Sequence, residues 1–151
     1  MDREECTEVI LAAKRDGGIT FQELAAAVGR SVVWTTAAIM GQATMDAAEA
    51  KALTARLDLD ADEADEVAEA LKEIPMKGSL DTDVPVDPLI YRFHEVTQVY
   101  GTTIKAVIHE MFGDGIMSAI DFELDIERVP DPKGDRVRVT YNGKFLPYRK
   151  W

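Results

Sequence analysis

Residues 87–112 hold the feature that most constrains the fold, an apolar stripe that repeats at helical spacing. Its first members are Leu89, Phe93, Val96 and Tyr100, each three or four positions from the next. Asp87 is a good N-cap, and Pro88 fits the first helical position, where no backbone N–H is required. Gly101 predicts the end of this helix, and a second helix is predicted from about Thr102 to Phe112.

After this stretch, apolar and acidic residues alternate in a pattern that is typical of a β-strand. The apolar members are Ile120, Phe122, Leu124 and Ile126, and the acidic members are Asp121, Glu123, Asp125 and Glu127. Such a strand has one wet face and one buried face. Residues 130–134 predict a turn into a second strand, Arg136–Tyr141, and Asn142-Gly143 predicts a tight turn into Lys144–Leu146.

The first half of the chain predicts a bundle of five helices. The predicted spans are residues 2–15, Thr20 to Val28, Ser31 to Met40, Met45–Leu57, and Asp60 to just before Pro75. Thr20 and Glu23 have the spacing of a capping box. The second and third helices, separated by Gly29, have the outline of a repressor-like helix-turn-helix. The fold class is therefore α+β.

The domain organisation follows from this contrast. Residues 78–85 are the best linker candidate, between a helical bundle at 1–77 and a mixed domain at 86–151. Two helices and a β-hairpin form a thin core, and a lone hairpin is marginal in water. The apolar strand face needs a cover, which we expect to be the same segment of another copy. The pattern therefore predicts a homo-oligomer.

Charge and cysteine usage exclude some classes of function. The net charge is −11, and the first 80 residues contribute −8 of it, with eight Lys and Arg against sixteen Asp and Glu. This argues against binding nucleic acid. The single cysteine, Cys6, fits a reducing cytoplasm and is interpreted as a small apolar residue. With neither a signal peptide nor a membrane span predicted, we expect a cytoplasmic protein.

Candidate chemistry lies between residues 92 and 118. Arg92 and Glu95 are three positions apart on one helix face, which is the spacing of an ordinary surface ion pair, and a guanidinium also offers a planar fork of donors that matches a planar oxyanion. Ser118 follows in a turn of small residues. His94 and His109 match no metal-binding pattern, so structural or surface roles are predicted for both and no metal site is predicted.

Four motifs follow one another in residues 91–120, namely YR-x-x-E, YGTT, HE-x-FGDGI and SAI. With VVWTTAAIMGQ in the first half and NGKFLPY near the end, they resemble the cyanase family, also called cyanate hydratase or cyanate lyase. Their order and spacing are far more specific than any one short motif, and the resemblance covers nearly the whole chain. His94 stands where Tyr is more common, and Met111 where Lys is usual.

The resemblance implies an activity, a site and an assembly. Cyanases, which are lyases, convert cyanate and bicarbonate to carbon dioxide and carbamate, and the carbamate decomposes to ammonia and carbon dioxide. The family's catalytic Arg, Glu and Ser map onto Arg92, Glu95 and Ser118, with Arg92 and Ser118 also binding the substrates. Ile116 and Leu146 match positions near that site. Bicarbonate is a co-substrate and no cofactor is implied.

Cyanases are homodecamers, pentamers of intertwined dimers, with active sites at subunit contacts. This implies that residues 86–151 form the catalytic and dimerisation domain. The cellular role would be cyanate detoxification or nitrogen metabolism.

Two rival functions remain open at this point. One is a helix-turn-helix DNA-binding regulator, but the predicted recognition helix Ser31–Met40 contains no Lys, Arg, Asn or Gln to contact base edges. The other is a scaffold whose only role is its oligomer. Binding to bulk DNA would identify the first rival, and the absence of ammonia release from cyanate would identify the second.

Overall fold

A computed structural model describes residues 1–78 and 82–151, and the chain divides into two compact units, Met1–Ser79 and Leu80–Trp151. The helices of the first unit are α1 (Arg3–Asp16), α2 (Phe21–Val28), α3 (Val32–Ile39), α4 (Ala47–Thr54) and α5 (Ala61–Lys72). The second unit contains α6 (Pro88–Phe112) and an antiparallel pair of strands, β1 (Gly115–Val129) and β2 (Arg136–Pro147). The predicted α+β class is confirmed. Residues 79–81 of the predicted linker lie outside the described residues.

Local capping determines where the helices of the first unit begin. Thr20 Oγ1 accepts the Glu23 N–H at 3.2 Å, and the Glu23 carboxylate accepts the Thr20 N–H at 2.8 Å, which completes the predicted capping box. This backbone N–H, with the Thr20 hydroxyl, lowers the pKa of the Glu23 carboxyl. The helix predicted at Met45–Leu57 is shorter than expected, because Asp46 accepts the Glu49 N–H and occupies the N-cap of α4.

All five helices of the first unit contribute to one apolar core. The buried members include Cys6, Ile10, Leu24, Ile39, Leu53, Val67 and Leu71. Arg3 lies at the edge of this core, where its guanidinium donates to the Ala70 carbonyl at 3.1 Å and to the Ala38 carbonyl at 2.5 Å. The last carbonyl groups of a helix have no hydrogen-bond donors within that helix. The Arg3 side chain therefore supplies a donor to a carbonyl near the end of α5 and to another near the end of α3. Burial raises the pKa of the Cys6 thiol, consistent with a packing role.

The prediction of a break at Gly101 is wrong, since α6 runs as one helix of 25 residues through that glycine. Gly101 does not have a positive φ, so its backbone fits a helix. A glycine inside a helix lowers the stability of the helix by about 1 kcal/mol. A break would create two further helix ends whose backbone N–H and C=O groups lack partners, which would cost more. The start at Asp87, which accepts the N–H groups of Leu89 and Ile90, and the stop at Gly113 occur as predicted.

The hairpin has one long second strand where a turn was predicted. β2 continues through Asn142-Gly143 to Pro147, so the predicted tight turn is wrong. These two residues instead pair with Glu123 and Phe122 of β1. The real connection is the turn between Val129 and Arg136, as expected. An irregularity in the pairing lies between Met117 and Phe122.

The second unit leaves most of its apolar side chains open. None of the residues of α6 is buried. The exposed stripe comprises Leu89, Phe93, Val96, Tyr100, Ile104, Val107 and Met111. On β1 Ile120 is 98% exposed, Ile126 is exposed, and Phe122 and Leu124 are half-buried. The strand face that was predicted to be buried is therefore not covered by the described residues. Among residues 1–78 and 82–151, no helix has the length and hydropathy of a membrane span.

Candidate active site

Arg92 and Glu95 form an ion pair on the first half of α6. Arg92 Nη1 lies 3.3 Å from Glu95 Oε2, and their side chains are 61% and 46% exposed. The Arg92 guanidinium also lies over the Tyr91 ring, 5.0 Å from its centroid. The ion pair and the ring hold the planar guanidinium, while its exposure leaves donors free for an anion.

The pair borders the apolar stripe. Each helical residue turns the side chain by about 100°, so Val96 lies about 40° from Arg92 on one side and Glu95 about 60° away on the other. Arg92 is thus the polar group next to the open apolar surface. A molecule that covered the stripe would also cover this guanidinium and reduce its access to water.

Ser118 lies within β1 and is only 6% exposed. Its Oγ accepts the backbone N–H of Ile120 at 3.0 Å and that of Asp121 at 2.9 Å. A serine hydroxyl has two acceptor positions and one hydrogen to donate. Both acceptor positions are filled by these amides, so the O–H is left as a donor.

Among the described residues, contacts within one chain join Arg92 to Glu95 but join neither of them to Ser118. From Arg92 to Phe112 is 20 residues of helix, or about 30 Å of rise. The six residues from Phe112 to Ser118 can span at most about 22 Å. The Cα atoms of Arg92 and Ser118 are therefore at least about 8 Å apart. Within residues 82–151, no hydrogen bond or ion pair joins Ser118 to Arg92 or Glu95.

The contacts of α6 with the hairpin lie at the opposite end of the helix from Arg92. His109 Nε2 is 3.1 Å from the Gly115 carbonyl oxygen, and the Phe112 and Phe145 rings stack with centroids 5.1 Å apart. A cavity of about 230 Å³ lies beside this junction, with Lys105, His109 and Ile116 in its wall. Ile116 pairs with Leu146 across the strands.

The two histidines do not form a metal site in the structure. Fifteen helical residues, about 22 Å, separate His94 from His109. His94 packs near Tyr91, with ring centroids 5.9 Å apart. Among the described residues, no group of three or more His, Cys, Asp or Glu side chains is arranged to hold a metal ion.

Sequence reasoning missed Gly143, which lies against the Ser118 backbone. The Asn142-Gly143 pair predicts a tight turn at this position, which the structure does not contain. The signal that could have identified it is a single glycine inside a strand pattern, which often marks a bulge or a close approach of two backbones.

Two family models match the chain. One, described as cyanate hydratase, N-terminal, matches residues 3–75, and the other, described as cyanate lyase C-terminal domain, matches residues 82–150. Both descriptions name an enzyme, and neither supports the DNA-binding regulator.

Relatives and a solved structure match along almost the whole length. The cyanate hydratase of Thiobacillus denitrificans is 56% identical over 151 residues, and that of Dechloromonas aromatica is 54% identical over 151 residues, in each case all of both chains. The crystal structure of cyanase from T. urticae is similar with a TM-score of 0.81 and 38% identity, and the match covers 94% of this chain and 96% of that one.

Proposed function

The chain belongs to the cyanate hydratase family, also named cyanate lyase, and on that premise we propose that it decomposes cyanate with bicarbonate at a site made of Arg92, Glu95 and Ser118. The observation that carries this proposal is the Arg92–Glu95 ion pair, 3.3 Å long, at the border of the open apolar stripe. A guanidinium in that position offers a planar fork of donors to a planar oxyanion, and a molecule that covers the stripe would exclude water from both.

The reaction needs no protein nucleophile. A bicarbonate oxygen attacks the carbon of cyanate, and the cyanate nitrogen is protonated. The bond between that oxygen and the bicarbonate carbon then breaks, which releases carbon dioxide and leaves carbamate, with one proton taken up in all. Carbamate takes up a further proton and separates into ammonia and carbon dioxide. The enzyme contributes proximity and electrostatic preorganisation.

Each residue of the proposed site has a defined part in the reaction. Arg92 binds the two anions and offsets their mutual repulsion. Glu95 orients Arg92 through the ion pair and takes part in proton handling. Ser118 donates its O–H to an anion, a role supported by the two amides that fill its acceptor positions.

Other copies of the chain complete the site in this proposal. A site shared between copies is supported by the contacts of Ser118 within one chain, which join its side chain to Ile120 and Asp121 but not to Arg92 or Glu95. The open stripe on α6 and the open face of β1 supply apolar surface for their contacts. The proposed assembly is a homodecamer, a pentamer of dimers, in which residues 86–151 form the catalytic and dimerisation domain and residues 1–77 the helical bundle.

Such an assembly also explains how a chain with a net negative charge could bind two anionic substrates. Most of the net charge of −11 lies in the first 80 residues. Because salt screens charges beyond about 8 Å under physiological conditions, clustered copies of Arg92 outweigh the distant acidic surface. Ten copies of the 16.7 kDa chain give about 167 kDa, which light scattering measures.

The proposal includes no resident metal or cofactor, no nucleic-acid or membrane partner, and a cytoplasmic location. Bicarbonate is a co-substrate, and in this proposal Arg92, Glu95 and Ser118 supply the positive charge, the proton handling and the hydrogen bonds that the reaction needs. Ammonia release that survives dialysis against EDTA is the expected result, and activity restored only by added metal would contradict it. Cell fractionation and a gel shift with bulk DNA test the location and the nucleic-acid statement.

Arg92→Leu tests the site. We expect bicarbonate-dependent ammonia release to fall at least about 1,000-fold, because two anions would meet without a cation. Arg15→Leu is the matched control, since Arg15 is also an exposed arginine in an ion pair, in the first unit. Near-normal turnover in Arg92→Leu would remove Arg92 from the site. Lack of any activity in the unmodified protein would favour the scaffold.

A further inference from the structure

β1 carries an unusually wide bulge next to its pairing with Gly143. Met117 pairs with Phe145, and Phe122 pairs with Gly143. Residues 118–121 of β1 therefore lie opposite one residue of β2, Lys144. An ordinary bulge has one extra residue on one strand, whereas this one has three.

The bulge is closed by the side chain at its first position. Ser118 Oγ accepts the N–H groups of Ile120 and Asp121, the third and fourth residues of the bulge. These bonds satisfy two backbone donors that have lost their cross-strand partners. At the far side, Asp121 Oδ2 lies 3.9 Å from Lys144 Nζ. The direction of the Ser118 O–H is thus tied to the shape of the bulge.

Gly143 leaves the space that this shape requires. A Cβ atom at position 143 would lie 2.3 Å from the Ser118 carbonyl oxygen and 2.6 Å from Met117 Cγ. Contacts under about 3.0 Å force a shift, and here the nearest atom belongs to the backbone. Gly143 does not have a positive φ, so what matters is the missing side chain and not an unusual backbone conformation.

We propose that Gly143 is a positioning residue for Ser118, because the absence of a side chain at 143 lets the bulge adopt the shape in which Ser118 accepts both amides and keeps its O–H free to donate. Any side chain at 143 displaces the Ser118 backbone and misdirects that O–H. The proposal rests on the role of Ser118 proposed above. It adds a residue that does not touch substrate and acts through Ser118.

Gly143→Ala is the first test. We expect kcat/KM for cyanate to fall about 10- to 100-fold, the loss that accompanies one misdirected hydrogen bond to a charged group, while the mass of the assembly is unchanged. Thr140→Ala is the matched control, because Thr140 lies in β2 and pairs with Asp125 outside the bulge. It should keep the activity of the unmodified protein. Full activity in Gly143→Ala, beside an impaired Ser118→Ala, overturns this inference alone.

A double-variant cycle separates positioning from general damage. If Gly143 acts through Ser118, adding Gly143→Ala to Ser118→Ala costs little further activity. Gly115→Ala provides a strain control, since its Cβ would lie 2.4 Å from the Leu146 carbonyl oxygen but away from Ser118. The fold-loss of activity in Gly115→Ala should multiply with the fold-loss in Ser118→Ala when the two substitutions are combined. Losses of Gly143→Ala and Ser118→Ala that simply multiply overturn the inference.

Hydrogen exchange gives a readout that is independent of activity. The Ile120 and Asp121 amides should be protected in the unmodified protein and should exchange faster in both Gly143→Ala and Ser118→Ala. If Gly143→Ala does not assemble, Ser118→Ala still tests the premise of the inference, namely that the Ser118 hydroxyl holds these two amides. Equal exchange of both amides in the unmodified protein and Ser118→Ala overturns it. Full activity in Ser118→Ala overturns the proposed role of Ser118 and the inference with it.

Discussion

The two units of this chain treat their apolar residues in opposite ways. In the first, all five helices direct apolar side chains into one core, and capping side chains complete their ends. In the second, a 25-residue helix has no buried residue and the hairpin exposes Ile120 and Ile126. The first unit has the means to be stable by itself. The second has an exposed apolar surface of the kind that marks a contact site, which in the proposed assembly is a contact with further copies of the chain.

The largest expected effect comes from a charge placed on the stripe of α6. Ile104→Asp should prevent assembly, because an unpaired carboxylate is costly to bury, and activity should be lost with it. Light scattering should show a mass well below about 167 kDa. Gln98→Asp, on another side of the helix, is the control and should assemble more fully. A full-sized, active Ile104→Asp would mean that the stripe is not a contact surface.

A smaller effect is expected from a cavity in the first unit. Leu53 is fully buried in α4, and Leu53→Ala should lower the free energy of unfolding by about 2–5 kcal/mol. In a Trp151→Phe background, fluorescence of Trp34 reports this unit during denaturant unfolding. Leu89→Ala removes the same atoms from an exposed position and should leave that transition unchanged. If the two variants behaved alike, the contrast between the units would be lost.

The smallest effect has the opposite sign. A Cβ at Gly101 meets nothing within 4 Å, so Gly101→Ala should stabilise α6 by about 0.5–1 kcal/mol. The unfolding midpoint of the assembled protein measures this change. If Gly101→Ala instead assembles poorly, the added methyl group must collide with another copy. Gly101 would then lie in a close contact between copies in the second unit.

Local signals in the sequence predicted local structure well. The box formed by Thr20 and Glu23, the cap at Asp87 and the stop at Gly113 each depend on residues within three or four positions. They could be predicted because the groups that satisfy each other are neighbours along the chain. The alternating strand of β1 was identified for the same reason.

The glycine signals failed where distant residues decide the structure. Gly101 stays helical because the stripe continues on both sides of it. Gly143 stays in a strand because Phe122 pairs with it across the hairpin. The bulge at Ser118 depends on a register between strands that no short window of sequence contains. Arg92, Glu95 and Ser118 were selected by resemblance, and their union at one site remains a proposal.

The open apolar surface of α6 has a consequence for how the protein is made. The acidic first unit leaves the ribosome early and can fold on its own core, with charge that favours solubility. In the proposed assembly, the apolar surface of the second unit stays exposed to water until other copies of the chain bind to it. We expect the yield of soluble protein to fall as the temperature of expression rises, because aggregation competes with assembly during that interval.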